Sequence, residues 1–398
     1  MSGPTWEPVI YRTPELGAEE RAALAAIDRV RRDLRHAVAE PRRWVGSMRR
    51  VLAARAIQGS NSIEGHHVSV EDALAAIDGE EMTDAADRDA KAVEGYRRAM
   101  TYVLQLAADD HFEYNAGVIR SLHFMMTEYD LDASPGRWRS GDIYVRNEAT
   151  GEVVYEGPDS DRVPELMSAL VDELGEANDK TPVLVRASMA HLNMVMIHPF
   201  RDGNGRMSRG VQNLVLARER VLAPVFSSIE EYLGRNTQSY YDVLGEVGQG
   251  TWNPGNDARP WVRFCLEAHY VQALSVLRRI RESGRMWTEV SELRQAAKLQ
   301  ERTEAALLDA AIGLKVRNAS YRAQLREWGE NVSLQTASGD LKAMVDAGLL
   351  KQLGKNRGAH YVASDRLRDV QERARSNREP IDTSKLFVPD TGQTELTI

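Results

Sequence analysis

The sequence predicts a mainly α fold: a helical core interrupted by one β-hairpin, then a small α+β module in which helix, turn and helix precede two short strands. Three observations carry this prediction. Apolar residues recur at helical spacing through most of the first 283 residues, one β-prone stretch, IYVRNEATGEVVYEGP, interrupts them, and the pattern changes near residue 286. At 398 residues, with 42% hydrophobic and 28% charged side chains, the chain has the composition of a soluble globular protein of two or three domains.

Taken in order, residues 1–110 read as a helical region. An irregular Pro- and Trp-bearing start leads into EERAALAAIDRVRRDLRHAVAE, an amphipathic helix that Pro41 should end, its arginines on a solvated face. The next helix, SMRRVLAARAIQ, runs into Ser60-Asn61-Ser62-Ile63-Glu64-Gly65. Ser60 and Glu64 lie at i and i+4 on one face, and Gly65 suits the C-terminal end. VSVEDALAAI, AADRDAKAVEGYRRAMTYVLQLA and NAGVIRSLHFMMTEY follow as helices. His66, His67, His111 and His123 lack the spaced acidic or thiol partners of a zinc cage and read as structural or surface residues. The hairpin, at about residues 141–157, comes next, followed by the amphipathic helix VPELMSALVDELGE.

Thr181-Pro182 then opens an apolar, methionine-rich run to Ile197, a buried helix with Thr181 as N-cap and Pro182 at its first position. GRMSRGVQNLVLARERV reads as a second helix with one buried face. The loop joining them is HPFRDGNGRMSR, His198 to Arg209. Gly203-Asn204-Gly205 falls where the second helix's unpaired N–H groups point outward, which makes an anion site. Arg206 and Arg209 share a face in the first turn, where the macrodipole disfavours cations, so the pair asks for a polyanion. Asp202 is a hard oxygen ligand suited to Mg2+ against phosphates, and His198, closing a buried helix, is placed as a general base. SIEEYLGRNTQSYYDVLGEV and RPWVRFCLEAHYVQALSVLRRI complete the core, which should end near residue 283. The single cysteine, Cys265, has no internal partner and reads as packing.

At these residues the chain resembles the Fic (Fic/Doc) family, whose signature is His, any, Phe, any, Asp or Glu, Gly, Asn, Gly, Arg, any two, Arg. His198, Phe200, Asp202, Gly203, Asn204, Gly205, Arg206 and Arg209 meet every specified position. The resemblance implies a helical Fic core over residues 111–283 that transfers AMP from ATP, with Mg2+, to a Ser, Thr or Tyr hydroxyl of a target protein or of the chain itself. It gives His198 the hydroxyl proton, Gly203 to Arg206 and Arg209 the phosphates, and Asp202 the metal. Ser60 to Gly65 is similar to the family's inhibitory motif: Ser or Thr, three residues, Glu, then Gly or Asn. Glu64, with Ser60, would then compete with a γ-phosphate for Arg209. The resemblance also makes the hairpin a flap that pairs main chain to main chain with a target segment, and it sets Tyr240 and Tyr241 near the adenine.

AQLREWGENVSLQTASGDLKAMVDAGLLKQLGKNRGAHYVAS resembles a winged helix within residues 284–365, with Leu334 to Ala347 as recognition helix and Leu349 to Val362 as wing. From Met286 to Asp365, 11 Lys and Arg face 10 Asp and Glu, and the recognition helix sets Lys342 against Asp340 and Asp346 and contains Gly339. The wing alone is basic, through Lys351, Lys355 and Arg357. Since DNA binding needs several neutralised phosphates, protein docking or self-association into a homo-oligomer suits this module at least as well, with DNA left open. Residues 366–398 read as a poorly ordered extension.

A formal net charge of −8 gives no global attraction to nucleic acid. With no basic-plus-apolar start and no bilayer-length apolar run, the expectation is a cytoplasmic protein without a membrane partner. Two further readings use the same residues. One is a hydrolase in which Glu64 orients water to remove AMP from modified proteins; the other is a winged-helix DNA-binding regulator whose Fic domain senses nucleotide.

Overall fold

Helical periodicity becomes a succession of packed helices in the computed structural model, which describes residues 10–39, 44–82, 84–146, 150–176, 180–219, 224–355 and 358–389. The first are α1 (Ala18–Ala39), α2 (Trp44–Ile63), α3 (Val70–Asp78), α4 (Asp87–Ala108) and α5 (Ala116–Thr127). Their ends are written in the sequence. Ser69 Oγ accepts the Asp72 N–H at 3.0 Å to start α3, Asn115 Oδ1 accepts the Val118 N–H at 2.9 Å to start α5, and Gly65 turns the chain after α2 at φ +77°. Pro41, expected to end α1, lies outside the described residues; α1 stops at Ala39.

The hairpin forms as β1 (Tyr144–Arg146) and β2 (Val153–Glu156), antiparallel, with Val145 opposite Tyr155 and a bulge after Val145. Its turn residues 147–149 lie outside the described residues. The far edge of β2 is covered, since Glu156 N–H donates to Gly250 O at 2.9 Å and Trp252 N–H donates to Glu156 O at 3.0 Å. The outer edge of β1 has no strand partner among the described residues. Next come α6 (Val163–Gly175), α7 (Val183–Ile197), α8 (Asn204–Arg218), α9 (Pro224–Ser227), α10 (Glu230–Arg235) and α11 (Thr237–Gly248). Helix α7 begins one residue later than expected: Pro182, with ψ at 138°, is extended and serves as the cap.

Two apolar clusters form the core, and α12 (Arg259–Ala296) runs through both. Its first half supplies Trp261, Val262 and Leu266 to the cluster that holds α7 and α8; its second half supplies Ile280, Met286 and Val290 to the other. One uninterrupted helix thus crosses the position near 283 where the core was expected to end. Residues 1–110 contribute to the second cluster too: Val30 and Leu34 of α1 and Trp44, Met48 and Leu52 of α2 sit in it. With them pack α13 (Glu304–Ala311), α14 (Asn318–Glu327), α15 (Leu334–Asp346), the antiparallel pair β3 (Leu350–Leu353) and β4 (His360–Ala363), and α16 (Asp365–Arg375). The extension after residue 365, expected to be poorly ordered, is instead ordered through 389. Leu367, Val370 and Ala374 of α16 are buried, Arg378 pairs with both Glu282 oxygens at 2.7 and 2.6 Å, and Leu386 reaches the first cluster. Among the described residues, no helix is long and apolar enough to cross a membrane.

Where α2 meets α13 and α14, Ser47, Arg50, Asp78 and Asp309 line a polar cavity of about 30 Å3. Burial pushes the Asp309 carboxyl up to about 7. The folded protein therefore holds a proton that the unfolded chain gives up near pH 4, so stability falls as pH rises toward 7. Asp309→Asn should remove that slope. Its melting temperature relative to the parent should rise between pH 5 and pH 8 by several degrees, from a cost of order 2 kcal/mol; a pH-independent difference sinks the assignment.

Candidate active site

The loop between α7 and α8 is fixed from inside. His198 closes α7 in the left-handed region at φ 51°, and Gly203 caps α8 at φ 76°. A Cβ on Gly203 would also stand 3.0 Å from Thr127 Cγ2, so the turn requires glycine. Asn204 clamps the loop with its own side chain, accepting the Phe200 N–H at 2.9 Å and donating to Phe200 O at 2.8 Å. That side chain is buried, so the Asn204 main chain is what is left for a ligand.

Two residues outside the motif hold this loop. His123, fully buried, stacks on Phe200 with ring centroids 3.6 Å apart. Its Nδ1 accepts the Gly136 N–H at 2.9 Å, so Nε2–H donates to Asp202 O at 2.9 Å, and burial pushes its pKa down to about 4. Arg139 donates to His198 O at 2.9 Å, to Gly141 O at 2.8 Å and to Pro158 O, tying the motif to both feet of the hairpin. Neither could be told from an ordinary core His or surface Arg in a single sequence.

His198 is oriented as a base. Its Nδ1 lies 3.1 Å from Val195 O, which only accepts, so the ring proton is on Nδ1 and the Nε2 lone pair is left. Burial holds its pKa below the usual imidazole value, against the opposing pull of the Val195 bond and the Glu64 charge.

Arg206 and Arg209 are both buried, and both side chains reach back toward the start of α8. Arg206 Nη2 lies 3.5 Å from where a Cβ on Gly203 would stand, and Arg209 Nη1 lies 3.1 Å from the same point on Gly205. Arg206 leans to α5, with Nη1 at 3.3 Å from the Tyr129 hydroxyl; Arg209 leans to α2. There Arg209 Nη2 donates to Glu64 Oε1 at 2.8 Å, and Nε donates to Ser60 Oγ at 2.7 Å. Burial alone would raise the Glu64 pKa, but the Arg209 and Arg206 charges outweigh it and hold the carboxyl below its ordinary value. The Glu64 carboxylate rests over the helix N-terminus, where a Cβ on Gly205 would overlap Oε1. Thus 145 residues of sequence separation close into one ion pair.

Asp202 has a half-exposed carboxylate, 3.8 Å from Arg206 Nη2. No cluster of three or more metal-ligating side chains exists among the described residues. Of the paired tyrosines, Tyr240 is buried and its hydroxyl lies 3.1 Å from His191 Nε2, so it is a core residue. Tyr241 is half-exposed and donates to Ile63 O at 3.2 Å, beside Glu64.

Comparison with known proteins agrees with this geometry. Residues 113–216, which contain the whole loop, match the profile of the Fic/DOC family. Protein adenylyltransferase fic-1 of Caenorhabditis elegans is 27% identical over 258 residues, which is 63% of this chain and 46% of that protein. Protein adenylyltransferase Fic of Nematostella vectensis is 27% identical over 180 residues, covering 43% and 36%. The match thus spans less than half the length of these relatives. A Fic family protein from Desulfovibrio desulfuricans superposes with a TM-score of 0.57 at 22% identity, over 89% of this chain and 99% of the other, a likeness of fold. With the motif residues brought together at the mouth of α8 and the profile matched around them, the chain carries a Fic/DOC family domain.

Proposed function

We propose that this protein is an adenylyltransferase that moves AMP from ATP to a Ser, Thr or Tyr hydroxyl of a protein, its own chain included, and that Glu64 holds it in check. The observation that carries the reading is the Glu64–Arg209 pair. A buried arginine at a helix N-terminus already binds one anion there, 2.8 Å away, in the place where a phosphate would lie.

In the active state the phosphates lie over the N–H groups of Gly203 to Gly205, flanked by Arg206 and Arg209. The target hydroxyl oxygen attacks the α-phosphorus, its proton passes to His198 Nε2, and the bond from the α-phosphorus to the bridging oxygen breaks, releasing diphosphate. The protein's part is positioning and neutralisation of charge. Asp202 fits Mg2+: a single half-exposed carboxylate beside an anion site is the protein share of ligands that this ion takes together with phosphate oxygens and water. When bound, the ion supplies further positive charge to the phosphates.

The target docks along the open outer edge of β1, whose Tyr144 is half-exposed. Helix α15 and the β3–β4 hairpin are a winged helix that docks protein rather than DNA. Asp340 of α15 takes both Arg302 contacts at 2.7 and 3.0 Å, and Lys351 of the wing is paired with Asp365 at 2.8 Å. Arg357 lies outside the described residues.

The test is isotopic. With the Glu64→Gly chain, ATP labelled at the α-phosphorus should transfer label to protein and ATP labelled at the γ-phosphorus should not. Label from the γ position would mean phosphorylation. Label lost from pre-modified parent protein would favour the hydrolytic direction, in which Glu64 orients water.

A further inference from the structure

The contacts of Arg209 with α2 divide into one that can move and two that cannot. Glu64 follows the last residue of α2, its side chain is 21% exposed, and Gly65 next to it adopts φ +77°. Ser60 lies a turn earlier and is fully buried. Its hydroxyl accepts Arg209 Nε–H at 2.7 Å, and its carbonyl accepts Arg209 Nη2–H at 2.9 Å. That carbonyl is available because the last turn of α2 tightens: Glu64 N–H donates to Asn61 O at 3.1 Å instead of to Ser60 O.

Behind Ser60 stands Tyr96, a buried phenol that interacts with Ser60 and whose hydroxyl donates to Glu230 Oε1. Glu230 Oε2 takes the Ser228 hydroxyl at 2.9 Å. The body of α2 is seated just as firmly, for it meets α10 backbone to backbone. A Cβ on Gly59 would stand 2.6 Å from Glu230 O, and one on Gly234 would stand 2.7 Å from Gly59 Cα.

We infer that Ser60, backed by Tyr96 and Glu230, is a positioning residue for Arg209 in the working enzyme, so that α2 aligns the arginine with Ser60 and blocks it with Glu64. Release then means movement of Glu64 alone, with α2 staying in place. The inference rests on Arg209 as the phosphate-binding arginine of the proposed function. It has the opposite sign to a purely inhibitory Ser60, whose removal would free the enzyme.

In the full chain carrying Glu64→Gly, Ser60→Ala and Tyr96→Phe should each raise KM for ATP about tenfold or more, the worth of a charge-assisted hydrogen bond, with a smaller change in kcat. The double variant should be no worse than Ser60→Ala, since the groups act in series. The Arg209 Nε–H signal in a 1H–15N spectrum, assigned by its loss in Arg209→Lys, should vanish by exchange in Ser60→Ala and shift in Tyr96→Phe. Faster transfer in either variant, or a KM within twofold of the parent, overturns the inference. If Glu64→Gly transfers no AMP at all, the proposed function fails instead, and ATP affinity by calorimetry together with the Nε–H signal decides the positioning role. An Nε–H signal unchanged in Ser60→Ala overturns it there.

Discussion

Replacing His198 by Ala in the Glu64→Gly chain lowers AMP transfer by about 10^2 to 10^4, the range for loss of a well-placed general base. The geometry argues for the high side. The Nδ1 contact to Val195 O at 3.1 Å fixes both tautomer and ring direction, so Nε2 presents its lone pair without reorganisation. The pH profile should carry the same mark. Burial holds the His198 pKa below its ordinary value, and removing Glu64 deletes a charge that pulls it up. The base form therefore persists on the acid side of pH 6.5, and the acid limb of kcat/KM should lie below the usual imidazole value and further below in Glu64→Gly. Labelling measured across pH with both variants checks this. Transfer by the His198→Ala protein within tenfold of its parent would remove the base from the mechanism, and a limb above pH 6.5 would contradict the buried setting.

How much of this was legible in the sequence follows from how local each feature is. The motif was legible because its chemistry is contiguous: a helix end, a turn that needs Gly203 and the first turn of α8 lie within twelve residues, from His198 to Arg209. The hairpin was legible for the same reason. Glu64 became visible through family resemblance alone, since its partner lies 145 residues away and a Glu one turn after a Ser is commonplace. His123 and Arg139 were not legible, because what they hold is main chain: the carbonyls of Asp202, His198 and Pro158 leave no trace in side-chain pattern. The Asn204 clamp was hidden for a related reason, its amide being taken up by the main chain of Phe200. Near residue 283, where the core was expected to end, Glu282 is buried and receives Arg378 from the C-terminal extension, a pairing across 96 residues that no local pattern shows. Helix α16 was hidden by charge: Leu367, Val370 and Ala374 are a narrow apolar stripe among polar neighbours, enough to bind one groove.

The second large effect is expected from Glu64→Gly itself, which should raise the rate of transfer at limiting ATP roughly 10- to 100-fold. Glu64 and a phosphate compete for one guanidinium, so the gain is the free energy of the contact that ATP no longer has to break, and a charge-assisted hydrogen bond in a buried setting corresponds to about 1.5–3 kcal/mol. Stability should move the other way. Without nucleotide, the variant leaves Arg209 buried and short of its anion, so its melting temperature should fall below that of the parent. With ATP and Mg2+ the order should reverse, because a ligand that binds the folded state more tightly stabilises it more. Acid should imitate the mutation only far from neutrality. The Glu64 carboxyl is held below its ordinary value by Arg209 and Arg206, so its contribution is complete above pH 4.5 and is lost as pH falls through the lower folded value. Inhibition of the parent should therefore be flat from pH 6 to 8. Melting curves with and without ATP, beside initial rates at subsaturating ATP, separate this account from a general loosening of the fold. Loosening would lower the melting temperature in both conditions and leave the rate unchanged, whereas competition for Arg209 requires that rate and nucleotide-dependent stability rise together.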